Sequence, residues 1–117
     1  MTLFEKQVLF ARAFGVLILK AFDMDYQVTI NEVLRTQSEA NRNAEDGAGI
    51  KNSLHLLKLA GDINLFYDGR LLTTVEDYRP LGEFWESFST QDYTMCWGGR
   101  FLKPDADHFS IAHEGVK

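Results

Sequence analysis

The residues best suited to chemistry in this chain are His55 and Asp62, seven positions apart, and Asp105 and His108, three positions apart. Two imidazoles and one carboxylate can hold a zinc ion and leave a fourth position open for water. His55, Asp62 and His108 form such a set. With neutral imidazoles the site keeps about one net positive charge, enough to bring the pKa of a water toward ~7. A general base must also reach that water. Asp105 is the expected base, because a three-residue offset on a tight turn puts it on the same side of the pocket as His108. Asp107 adjoins His108 and is expected to point elsewhere, in a supporting or surface position. His113 lies at an odd offset from His108, which in a strand sends it to the opposite face, so it is left out of the set. Cys96 has no base at a defined spacing and reads as a small buried strand residue.

These residues belong to two stretches that must meet. One runs from Ser53 to Asp62. The other runs from Trp97 to Phe109, where Gly98 and Gly99 let the loop turn close to a substrate and Trp97 and Phe109 serve as walls and anchors. At 117 residues, 45% apolar and 13% aromatic, the chain fits one domain, 1–117, with a real core. A net charge of −5 gives no basic face for nucleic acid and no attraction to anionic lipid. A single cysteine excludes an internal disulfide framework and a Cys-rich zinc finger. Lys6 and Arg12 flank an apolar run, Ala13 to Leu19, that is too short to span a membrane. Lys20-Ala21-Phe22 offers no small-residue cleavage site, so a core helix is expected there and no signal peptide.

The elements that would position the site follow from periodicity. A helix is predicted over 2–23, capped by Thr2 with Glu5 as its reciprocal partner, and Phe4, Val8, Ala11, Ile18 and Phe22 form its apolar face. Residues 26–30 alternate as a strand, and Thr36 or Ser38 caps a polar helix. Residues 46–49 form a loop by composition. Leu54, Leu56, Leu57 and Leu59 fit either a short helix or an irregular apolar loop. Residues 62–67 read as a strand, Asp68-Gly69 as a hairpin turn, and 70–73 as the returning strand. A helix from Val75 to Ser89 carries Tyr78, Leu81, Trp85 and Phe88 on one side, with Pro80 near its start. Short strands at 93–97 and 109–112 complete an α+β fold, a small antiparallel sheet packed with helices.

Together these motifs resemble the M15 zinc peptidases, the group of D-alanyl-D-alanine carboxypeptidases, VanX-type dipeptidases and phage endolysins. The Ser-x-His-x(6)-Asp pattern is met by Ser53, His55 and Asp62, with Ala60 between them. The late segment is met by Trp97, Gly98, Gly99, Asp105, His108 and Phe109. An upstream Arg-Thr-x-x-Glu segment is met by Arg35, Thr36 and Glu39. The three blocks stand in family order and extend over roughly residues 26 to 112.

The resemblance implies a Hedgehog/DD-peptidase-like fold with zinc on His55, Asp62 and His108. It implies Asp105 as general base and acid, and Arg35 as the group that polarises the scissile carbonyl and holds the developing oxyanion. Ser53 would orient the first ligand or a substrate group, and Trp97 would contact substrate. Lys58 stands where the family carries glycine. Asp105 replaces the Glu of the dipeptidases and resembles the branch that cuts between L-alanine and D-glutamate in peptidoglycan stem peptides. The implied protein is a compact, monomeric, bacteriolytic phage endolysin. It would be made in the host bacterial cytoplasm and would reach the periplasm and cell wall at lysis, with no nucleic-acid partner and no membrane insertion. Two other readings remain at this point: a D,D-carboxypeptidase or D,D-dipeptidase of the same family, and a non-catalytic interaction protein that keeps a structural zinc.

Overall fold

The computed structural model describes residues 1–33 and 53–117. Arg35, Thr36, Glu39, the polar helix expected after Thr36 or Ser38, and the loop at 46–49 lie outside the described residues. The chain opens with helix α1, Leu3–Asp23. Its first turn is closed in both directions: the Glu5 amide donates to the Thr2 hydroxyl and the Thr2 amide donates to the Glu5 carboxylate. Asp25 then takes a left-handed conformation, φ 68°, and turns the chain into strand β1, Gln27–Glu32.

The buried face of α1 is not the one its periodicity first suggests. Phe10, Ala13, Phe14, Leu17 and Ala21 face the core, while Phe4 is 72% exposed and Phe22 51%. The helix is apolar almost all round, so spacing alone offers two stripes. The sheet takes the stripe on which Phe10 and Phe14 stack at 5.1 Å. Gly61 makes that choice possible, because a Cβ there would come within 2.6 Å of the Phe14 ring.

Among the described residues the chain continues through β2 (Ala60–Tyr67), β3 (Arg70–Leu71), helix α2 (Val75–Glu86), β4 (Met95–Trp97) and β5 (His108–Ile111). The strands form one antiparallel sheet in the order β1-β2-β5-β4, with β3 also paired to β2. The β2–β3 hairpin turns at Asp68 and Gly69, whose φ values of 51° and 77° suit the Asp-Gly pair. Thr74 and Asp77 cap α2 reciprocally. Pro80 sits past the first turn, on the exposed side.

Tyr78, Leu81 and Trp85 pack α2 onto the sheet with Ile63, Leu65, Phe109 and Ile111. Two buried polar ends are satisfied. The Trp85 indole donates to Ser110 O at 3.0 Å, and the Tyr78 hydroxyl accepts from Leu65 N and donates to Leu72 O. The helices occupy one face of the sheet through these contacts. Alternation along β2 therefore places Ile63 and Leu65 in the core and sends Asp62 and Asn64 to the other face. No helix among the described residues is long and apolar enough to cross a membrane.

Candidate functional site

Asp62 and His108 are brought together by strand register, because they are direct partners across the antiparallel β2–β5 pair. His55 arrives from a different device. Ser53 caps a single 3-10 turn, Leu54–Leu57, by accepting from the His55 amide at 3.2 Å. Leu54 and Leu59 are buried beneath the turn and anchor it to Ala60 at the start of β2. Lys58 ends the turn in the left-handed region, φ 59° and ψ 37°, a conformation glycine takes at no steric cost. The lysine holds it with its side chain in solvent.

The three expected ligands are buried, with His55, Asp62 and His108 exposed by 3%, 9% and 7%. The His55 Nε2 and His108 Nδ1 atoms lie 3.4 and 3.3 Å from Asp62 Oδ1, and the two rings meet edge to face with centroids 5.5 Å apart. His55 Nδ1 lies 3.3 Å from Val33 O. A carbonyl can only accept, so in the neutral ring this nitrogen carries the proton and Nε2 presents its lone pair inward. Asp62 Oδ1 is thus buried between two imidazole nitrogens, its closest polar neighbours being these ring atoms.

His55 Nε2, His108 Nδ1 and Asp62 Oδ1 thus converge, an arrangement that a metal ion can satisfy. A tetrahedral zinc with ligand bonds of about 2.0–2.1 Å separates its ligand atoms by about 3.3–3.4 Å. The two contacts to Asp62 match that spacing, and the three residues could hold a metal ion. Burial raises the Asp62 pKa, but hydrogen bonding and charge from His108 and His55 outweigh it and hold the carboxyl at about 2. It is therefore ionised at any pH where the imidazoles are neutral.

Asp105 sits at the edge of this group, exposed, with a carboxylate oxygen within 4.8 Å of those of Asp62 and Asp107. Its loop is fixed through the backbone: the Asp105 amide donates to Gly98 O at 2.9 Å, and the His108 amide donates to Asp105 O at 3.1 Å. A Cβ on Gly98 would collide with Asp105 O and with the His108 Cβ, so the loop closes this tightly only over glycine.

Asp107 departs from the expectation that it would point elsewhere. Its half-buried carboxylate joins the same group, facing Asp105, Asp62 and the Asn31 side chain. Burial, the hydrogen bond its protonated form donates to the Asp105 carboxylate and the charge of Asp62 raise its pKa to about 7. Asn31 sits at an irregularity in the β1–β2 register between Ile30 and Glu32, and nothing in the sequence pattern marks it.

The other singled-out residues have structural surroundings. Trp97, expected among the substrate contacts, is 1% exposed, and its indole donates to Ala106 O at 2.7 Å. Arg79 and Arg100 each lie 5.5 Å from its ring. It braces the loop that carries Asp105. Phe101 packs on His108 with centroids 5.4 Å apart. His113 stands apart from the triad, with Nδ1 3.2 Å from Lys6 Nζ. Cys96 is buried, and that burial raises its thiol pKa.

The sequence matches no protein-family model and no curated protein sequence. The architecture does find a solved counterpart. The fold is shared with the L-Ala D-Glu endopeptidase ChiX of Serratia marcescens. The two superpose with a TM-score of 0.56 at 19% sequence identity, over 73% of this chain. The matched part spans 66% of ChiX, just under two thirds of its length. The likeness to ChiX establishes the α+β fold of this chain.

Proposed function

We propose that this chain is a zinc-dependent peptidoglycan peptidase that hydrolyses the L-Ala–D-Glu amide of stem peptides in the manner of an endolysin, acting as a monomer. The observation that carries the reading is the buried convergence of His55 Nε2, His108 Nδ1 and Asp62 Oδ1, with the Asp105 carboxylate at its edge. The fold shared with an L-Ala D-Glu endopeptidase supports the choice of bond.

Each residue has one task. His55, Asp62 and His108 hold the zinc, and Ser53 fixes the backbone of His55. When bound, zinc supplies Lewis acidity toward a water and a carbonyl oxygen. The Asp105 carboxylate takes a proton from the attacking water and returns it to the nitrogen of the leaving amine. The Arg35 guanidinium donates to the oxyanion that develops on the carbonyl oxygen.

Purified protein, stripped of metal and reloaded, tests the reading. It should release stem-peptide fragments from peptidoglycan with zinc and none after chelation. Equal release with and without chelator would rule out the metal-dependent mechanism.

A further inference from the structure

The three proposed ligands are not held alike. Asp62 and His108 sit in paired strands, whereas His55 sits on a single 3-10 turn, Leu54–Leu57. Such turns are weakly bonded on their own. The Leu56 amide donates to Ser53 O at 3.1 Å, and the Lys58 amide reaches His55 O only at 3.5 Å. A turn this short also leaves its last carbonyl without a partner inside the turn. A zinc site tolerates little error in where a ligand atom lies, so the backbone of the turn has to be fixed from outside.

The first two turns of α1 do this. The Gln7 side-chain amide donates to Leu57 O at 2.9 Å, across 50 residues of sequence. It closes the turn two residues after His55. Leu3, one turn earlier on the same side of the helix, packs with Leu57 and Val116 on Leu54, Leu59 and Ala60. That cluster is separate from the core to which Phe10, Phe14 and Leu17 of the same helix belong. Val116 comes from a tight hairpin. His113 and Val116 exchange amide hydrogen bonds at 2.8 and 2.9 Å, over Glu114 and Gly115 at φ 48° and 81°. Lys6 ties this hairpin to α1 by donating to Ala112 O at 3.2 Å.

We propose that Gln7 is a positioning residue for the proposed metal ligand His55, and that Leu3 and Val116 complete a brace that sets zinc affinity from outside the ligand set. The helix thereby has two tasks along its length: its middle builds the core, and its start holds one ligand in place. The inference rests on the zinc site of the peptidase reading and adds the residues that decide how tightly that site holds its ion. Losing a group that orients a ligand costs about 10–100-fold in metal affinity.

Zinc affinity of the purified protein, measured by competition with a chromophoric chelator where all variants are folded, tests this without any peptide. Gln7→Ala should raise the zinc dissociation constant about ten-fold. Gln7→Glu keeps the shape but sets an acceptor against Leu57 O, and should raise it further. Gln7→Lys keeps a donor and should stay close to the unaltered protein. Val116→Ala should weaken zinc binding in the same direction as Gln7→Ala. Ile18→Ala is the control, because Ile18 packs on the main core and not on the cluster beneath His55. It should lower the unfolding midpoint and leave zinc affinity unchanged. In cobalt-loaded protein the visible absorption of the ion should shift in Gln7→Glu and return in Gln7→Lys, a signature that a merely structural role would not move. Unchanged zinc affinity in Gln7→Ala and Gln7→Glu, or equal losses in Gln7→Glu and Gln7→Lys, would overturn the inference. So would a loss in Ile18→Ala as large as that in Gln7→Ala. Zinc binding by an unaltered protein that cuts no peptidoglycan would overturn the peptidase reading alone, and failure of the unaltered protein to bind zinc would overturn both.

Discussion

His55, Asp62 and His108 are buried on elements that packing and strand pairing fix, whereas Asp105, three residues from His108, is exposed on a loop. The buried side needs exact donor placement, because ligand atoms must converge to within a few tenths of an ångström. The exposed side needs reach, because a proton carrier must meet a water and then a leaving amine. One short segment serves both demands: the Asp105–His108 turn, held by Gly98 O, joins the loop to β5. In the proposed reaction, ligand geometry would therefore be a property of the fold, and proton transfer a property of the loop.

The largest expected effect separates the two sides outright. His55→Ala or His108→Ala should lose bound zinc, read as metal content of the purified protein, and turnover should fall to background. Asp105→Ala should retain full zinc occupancy while turnover falls about 10²–10⁴-fold. Full zinc in the histidine variants, or unchanged turnover in the Asp105 variant, would dissolve the division of labour.

Gly98→Ala strikes the join between the two sides. Its Cβ would collide with Asp105 O and His108 Cβ, costing about 1–3 kcal/mol of stability by denaturant titration. Turnover should fall further than zinc affinity if the loop is what moves.

The Asp107 carboxyl sharpens the contrast through pH. Its folded value of about 7 lies above the ordinary aspartate value of about 3.9. The folded state therefore holds the proton more tightly than the unfolded chain, and stability falls as pH rises from about 4 to about 7. Asp107→Asn should flatten that decline in the zinc-stripped protein. After solvent screening of a half-buried group is allowed for, the gain at pH 8 is about 1 kcal/mol, with little change at pH 4. A variant that loses stability at pH 8 would contradict the assignment. The smallest effect belongs to the turn behind His55, where Lys58→Gly should relieve left-handed strain and stabilise the protein by up to about 1 kcal/mol.

Much of this was readable from residue types and spacing, because register and periodicity are short-range rules. The thirteen-residue stretch from Trp97 to Phe109, the Asp-Gly hairpin and the Thr2 cap of α1 are local patterns, and local geometry realises them. The Lys58 position shows why glycine is suited to it, since the backbone there is left-handed. What spacing could not decide was tertiary. The choice between two apolar stripes on α1 depended on the room that Gly61 leaves for Phe14. The inward turn of Asp107 sets it against Asn31 from another strand, a pairing distant in sequence. Trp97 was expected to contact substrate, yet its ring is buried in the space that Gly82 and Gly99 leave.

The bond cut in purified peptidoglycan tests the central claim most directly. Digestion with the zinc-loaded protein, followed by mass analysis of the new amino terminus, should yield fragments beginning at D-glutamate or its amide, and none in the presence of chelator. Fragments ending in a newly exposed D-alanine, or no soluble fragments at full zinc occupancy, would contradict it.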